Sequence, residues 1–191
     1  MMCSHPSMEA GNSIAPAVNP FSAGDVAAAL GERGWLPAQQ GGMGCEPALQ
    51  AWLSRAAELL GPHCRHRTEL AGLLEPIFVY DAVASLGDPA NQDVLARTGA
   101  REVIRELANR VLDGGEIDSD RFKQIIESMK ESVPYRSRAM FLPIRIALTG
   151  RAGEGELDRV ILLVDSAANL NFAFPVKSTR QRMLEFCSAL D

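Results

Sequence analysis

The 191-residue sequence predicts an all-α fold, and three observations predict it. Every strong apolar periodicity has helical spacing, i, i+3, i+4. The periodic segments are closed by helix terminators such as Gly61-Pro62, Gly114-Gly115, Pro134 and Gly150. The one short apolar run that could form a strand, Ile77-Phe78-Val79-Tyr80, has no obvious partner and reads as a buried connection. No internal repeat is visible.

Residues 1–20 are rich in Ser, Pro, Asn, Gly and Ala without periodicity and read as a disordered lead-in. A helical domain then covers 21–191, with a subdomain break expected near 76–90. Ser22 caps a first short helix to Leu30 that turns Val26, Ala29 and Leu30 inward. After a loop over Pro37–Gly44, the stripe Leu49, Trp52, Leu53, Ala56, Leu59 and Leu60 predicts a helix from Pro47 to Leu60. Thr68 is expected to cap a helix to Leu74, stopped by Pro76. A longer helix is expected over Asn91–Leu112, with a break near Gly99. Asp118-Ser119-Asp120 caps the next, whose inward face carries Phe122, Ile125, Ile126, Met129 and Val133. Pro143 is placed in the first turn of a short helix closed by Gly150, with Ile144, Ala147 and Leu148 inward. Helices over Leu157–Val164 and Val176–Leu190 complete the chain.

Composition narrows function. With 24 acidic and 19 basic residues the net charge is -5, and the pI is about 5.3, which argues against a protein that coats nucleic acid or an anionic membrane over its whole surface; neither DNA nor a membrane is expected as a partner. No run is long enough to span a bilayer, and a cytoplasmic location is expected. The four cysteines are scattered and form no Cys-x-x-Cys pair. His63-Cys64-Arg65-His66 matches no familiar zinc spacing and reads as a solvated loop, so neither metal nor cofactor is expected. Phosphate-loop, nucleophile-elbow and His-Glu-x-x-His motifs are absent, which removes the common catalytic constellations.

The acidic balance is broken locally. Arg136, Arg138, Arg145 and Arg151 fall in a stretch with no acid, interleaved with Tyr135 and Phe141; Arg65 and Arg67 add charge in an earlier loop. Arginine beside aromatics suits looped or single-stranded RNA, where bases stack and phosphates accept forked donors. A solvated basic face has the same composition. Arg145 and Thr149 stand four apart, so a guanidinium and a hydroxyl would share one side of the helix. Spacing alone favours reading Arg145 as the cation of a local salt bridge whose stem covers apolar surface.

The stretch Phe141-Leu142-Pro143-Ile144-Arg145-Ile146-Ala147-Leu148-Thr149-Gly150 resembles the Arg-x-Ala-Leu-Thr-Gly signature in the C-terminal, all-helical anticodon-binding region of bacterial glutamyl-tRNA synthetases. Gly155-Glu156-Leu157 is similar to the family's following loop. Diffuse similarity extends upstream through Ile77-Phe78, Arg67-Thr68-Glu69-Leu70 and Leu59-Leu60 to Phe21–Trp35, so that the resemblance covers roughly residues 21–164. It implies that Arg145 contacts the first anticodon base, with Glu154, Gly155 and Leu157 lining the same pocket, while Arg136, Arg138 and Arg151 meet phosphates. Glu154 and Gly155 depart from the usual Thr or Gly and Pro, and 165–175 is longer than in the family. The family's catalytic signatures, His-x-Gly-His and Lys-Met-Ser-Lys-Ser, are absent from this sequence, as is Trp-x-Asn-x-x-Tyr-Ile. The resemblance therefore implies a tRNA partner, with tRNA-Glu first in line, and no aminoacylation by this chain alone. Two other roles follow from the same resemblance: a protein-interaction module anchored by Phe172 and Phe174, or a subunit acting in trans with a separate catalytic protein.

Overall fold

A computed structural model describes residues 19–37 and 46–190. Of the disordered lead-in expected over 1–20, residues 1–18 lie outside the described residues, as does most of the expected 37–44 loop; Asn19 is held in place, its side chain donating to the Ala57 carbonyl at 2.9 Å. The described chain contains ten α-helices and no strand: α1 (Ala23–Glu32), α2 (Pro47–Leu60), α3 (Arg67–Phe78), α4 (Ala82–Gly87), α5 (Pro89–Leu95), α6 (Ala100–Leu112), α7 (Ser119–Ser132), α8 (Arg138–Thr149), α9 (Glu156–Ala168) and α10 (Thr179–Leu190).

Local chemistry explains most boundaries. Ser22 and Asp25 form a reciprocal capping box at α1. Asp118 accepts from the Arg121 amide at the start of α7, as its position predicted. Three expectations are corrected. Thr68 is the second residue of α3, not its cap, and Pro76 lies inside that helix, which runs on through Ile77 and Phe78. Pro143 is the sixth residue of α8 rather than a first-turn residue. Each proline removes a hydrogen bond to the carbonyl four residues earlier. At Pro76 that carbonyl is Gly72, which accepts instead from Arg151 Nη1 at 3.3 Å. At Pro143 it belongs to exposed Ala139.

Two cores share one helix. Leu30, Trp52, Leu60, Leu70, Leu74 and Ile77 of α1–α3 meet Val160, Leu163 and Ala167 on one side of α9. Val103, Leu107, Met129, Ile144, Leu148 and Phe186 from α6, α7, α8 and α10 form the second core, which Ile161 of α9 also enters. Trp52 Nε1 donates to the Leu163 carbonyl at 3.2 Å and pins α2 to this central helix. Buried Asp165 accepts from the Ile117 amide and from the amide and hydroxyl of Thr179, at 2.6–2.7 Å, so α9 also fixes the entry to α7 and the start of α10.

The 165–175 stretch is partly interior. Phe172 sits edge-on to Trp52 and Phe78, with ring centroids 5.2 and 4.9 Å apart, and Ala173 donates its amide to the Trp35 carbonyl. Such aromatic contacts contribute about 0.5–1.5 kcal/mol each beyond burial. Only Phe174, 59% exposed, remains available as a surface aromatic of that pair.

Candidate nucleic-acid interface

The site is built on α8 and the loop that follows it. Residues 138, 141 and 145 fall at i, i+3 and i+7 and so share one face of α8. Phe141 on that face packs against the second core, Arg138 is exposed, and the N-terminal turn of α9 covers the far end. Arg145 therefore has only 9% of its side chain exposed. Its Nε and Nη2 donate to the two carboxylate oxygens of Asp158 at 2.7 Å each, and Nη1 donates to the Gly153 carbonyl at 3.0 Å. The guanidinium carbon lies 5.6 Å from the Phe141 ring. The Asp158 hydrogen bonds hold the Arg145 pKa above the usual arginine range, against the opposing effect of burial. A guanidinium has five N–H donors, so this arrangement fixes its plane and leaves two. The local salt bridge compatible with the spacing is thus present, with a partner thirteen residues away.

Thr149 does not present its hydroxyl beside Arg145. It is buried and donates to the Arg145 carbonyl at 2.7 Å, the back-bonded arrangement of a threonine inside a helix. Leu157 is buried in the first core, against Gly153. Gly155 is exposed at the entrance to α9, and Glu154 accepts from Arg138 Nη2 at 2.7 Å. Arg138, Arg145, Glu154 and Gly155 are thereby gathered around one loop. Arg151 turns toward α3, where it pairs with Glu75. Arg136 turns the other way and donates to the carbonyls of Lys130, Val133 and Tyr135, closing the end of α7.

The loop owes its shape to residues that carried no sequence motif. Buried Asn91 of α5 donates to the Ser85 and Gly150 carbonyls at 2.9 Å and accepts from the Ala152 amide at 3.1 Å. Gly150 has φ +77, and a Cβ there would stand 2.7 Å from Ser85 Oγ. Gly150→Ala is expected to lower stability by about 1–2 kcal/mol, from the left-handed backbone and the displaced serine; urea denaturation checks this. Asp158, Asn91 and Gly153 are the site residues that sequence reasoning did not find. The signal available for Asp158 was its place in the first turn of the next helix, two residues after Glu156.

The His63–His66 cluster has no metal-like geometry. Among the described residues no three His, Cys, Asp or Glu side chains converge, and burial pushes the Cys64 thiol up to about 11. No helix among them is long and apolar enough to cross a membrane.

The arrangement is that of an all-helical module with an ion-paired arginine on a glycine-closed helix. Residues 15–166 match the family model described as anticodon binding domain, and the chain belongs to that family. It is similar to glutamate-tRNA ligase 2 of Syntrophus aciditrophicus (strain SB), 27% identical over 113 residues, which are 59% of this chain and 23% of that ligase. It is also similar to the glutamate-tRNA ligase of Heliobacterium modesticaldum (strain ATCC 51547 / Ice1), 25% identical over 96 residues, or 50% of this chain and 19% of the ligase. A third relative, glutamate-tRNA ligase 1 of Caldicellulosiruptor saccharolyticus (strain ATCC 43494 / DSM 8903 / Tp8T 6331), is 26% identical over 73 residues, 38% of this chain and 15% of that protein. The matched region thus spans less than a quarter of each of these ligases. No solved structure gives a significant match.

Proposed function

We propose that this chain binds tRNA through its anticodon loop, as a glutamyl-tRNA synthetase-type module that does not aminoacylate on its own. The observation that carries the reading is Arg145. In a chain of the anticodon-binding family, it is oriented by a two-point carboxylate contact and keeps two donors for a ligand. A bidentate arginine contact to a base edge carries sequence discrimination, whereas arginines on phosphates position the strand. Arg138 and Arg151 are exposed and fill the positioning role. Their partners, Glu154 and Glu75, form ion pairs open to solvent, which add little and exchange readily for phosphate. Arg136 joins them only if it leaves the carbonyls at the end of α7. Gly155 and Glu154 border the base contact, and Thr149 and Leu157 support it from within the core.

Filter binding of the purified chain to total tRNA at several salt concentrations tests this. Arg145→Gln is expected to weaken binding by about 5- to 150-fold and to relax preference at one anticodon position. Absence of tRNA binding, or equal binding to any polyanion, overturns the reading. Charging assays with glutamate and ATP are expected to stay silent for the chain alone. Activity that appears on adding a separately produced catalytic half would assign it the trans-acting role.

A further inference from the structure

An arginine-lined groove runs beside the Arg145 face. The turn joining α5 to α6 presents Arg97, Thr98 and Gly99, and with Arg101 these residues line an open groove of about 550 Å³ whose floor includes Leu86 and Leu95. A narrower cleft of about 70 Å³ adjoins it, lined by Arg97 and Thr98 again and by Arg138 and Pro143 of α8. Sharing Arg97 and Thr98, the two form one channel. No acidic residue lines either part, although the whole chain carries -5.

The charges in this channel are unspent. Among the described residues Arg101 makes no hydrogen bond or ion pair. The Arg97 side chain donates only to the carbonyl of Asp93, one turn back, at 3.3 Å. Arg138 has only its exposed partner Glu154. Several arginines elsewhere are consumed, Arg67 by Asp25 and Glu32, Arg110 by Glu106 and Arg182 by backbone carbonyls, while Arg55, Arg65, Arg105 and Arg159 also have open side chains but line neither part of this channel. The acid adjacent in sequence, Glu102, instead accepts from the Tyr135 hydroxyl at 3.1 Å. The Tyr135 ring packs over Gly99, where φ is +88 and a Cβ would stand 2.0 Å from the ring, so the turn is held in place. The uncapped N-termini of α6 and α8, each the positive end of a helix dipole, border the channel.

We infer that this channel holds the sugar–phosphate backbone of the RNA whose base is taken at Arg145. The inference rests on the tRNA-binding reading above. Three donor-rich side chains with no acid suit a run of phosphates. The track continues along α8 from Arg138 past Phe141 to Arg145, a rise of about 10 Å.

The test uses the full chain, total tRNA and tRNAs differing at single anticodon positions. Arg97→Gln with Arg101→Gln removes two exposed arginines, so the fold should keep its melting temperature. If both meet phosphates, the slope of log K against log salt is expected to fall by about 1.4–1.8, which makes the affinity lost between 50 and 200 mM salt roughly tenfold smaller. Base preference should be unchanged, and Arg55→Gln, which alters a different groove, should behave as wild type. Wild-type affinity and slope in the double variant, with Arg145→Gln still weakened, would overturn the channel and leave the function standing. A changed base preference in the double variant would overturn the backbone assignment. Failure of the unmodified chain to bind tRNA would remove both.

Discussion

Arg182→Met is expected to lower the stability of the fold by about 3–5 kcal/mol, the range for removing one partner from a buried charged network. Arg182 has 0% exposure and its hydrogen bonds all go to backbone carbonyls, with the carboxylates of Asp165 and Glu185 acting on its charge without a hydrogen bond to it. Its guanidinium donates to the carbonyls of Pro76 and Leu148 at 2.8 Å, Ile77 at 2.6 Å and Lys177 at 2.9 Å. Three of these belong to the last turns of α3 and α8, where carbonyls lack helical partners and the dipole is negative. The Tyr80 ring lies 4.8 Å from the guanidinium carbon, and the Tyr80 hydroxyl donates to the Ala147 carbonyl at 2.6 Å. Burial lowers the Arg182 pKa to about 10, so the group remains a cation at neutral pH. Because α3 belongs to the first core and α8 to the second, one side chain ties the two together. Methionine fills similar volume but strands these carbonyls. The thermal midpoint should fall by about 10 °C or more, and the urea midpoint should move to lower concentration. Arg182→Lys, with a point charge in place of a planar fork, should recover only part of the loss. Wild-type stability in Arg182→Met would refute the role.

Asp158→Ala is expected to cost about 2–3 kcal/mol and to weaken tRNA binding as well. The stability loss sits below the fully buried range because 26% of the Asp158 side chain is exposed. What remains is a nearly buried guanidinium with a single carbonyl partner. Binding should suffer because Arg145 loses the contact that orients its remaining donors. A double variant, Arg145→Met with Asp158→Leu, separates the two effects. Replacing a buried pair by apolar groups is often close to neutral, so this protein should be more stable than Asp158→Ala yet bind tRNA no better than Arg145→Gln. Equal destabilisation of the single and double variants would show that the pair matters for packing rather than for charge.

Much of the fold was legible because helices write themselves in local spacing. The stripe from Leu49 to Leu60 matches α2, and Asp118 caps α7. Errors came where a local rule met a tertiary exception. Pro76 and Pro143 read as a stop and a start, but both lie inside helices that packing holds through the missing hydrogen bond. At six residues α4 is too short for a periodic signal, although Asp81 caps it by accepting from the Ala84 amide. Phe172 read as a surface anchor because nothing nearby in sequence covers it; Trp52 and Phe78 do so from distant helices.

The sequence by itself determined the all-helical class, most helix positions and the signature that marks the anticodon-binding family. Only the tertiary structure decided what each arginine does. Arg145 pairs thirteen residues away, Arg151 reaches a carboxylate 76 residues away, and Arg182 a carbonyl 106 residues away. The physical reason is one of range. A helix depends on neighbours within about four residues, whereas a guanidinium's partner depends on which helices pack together.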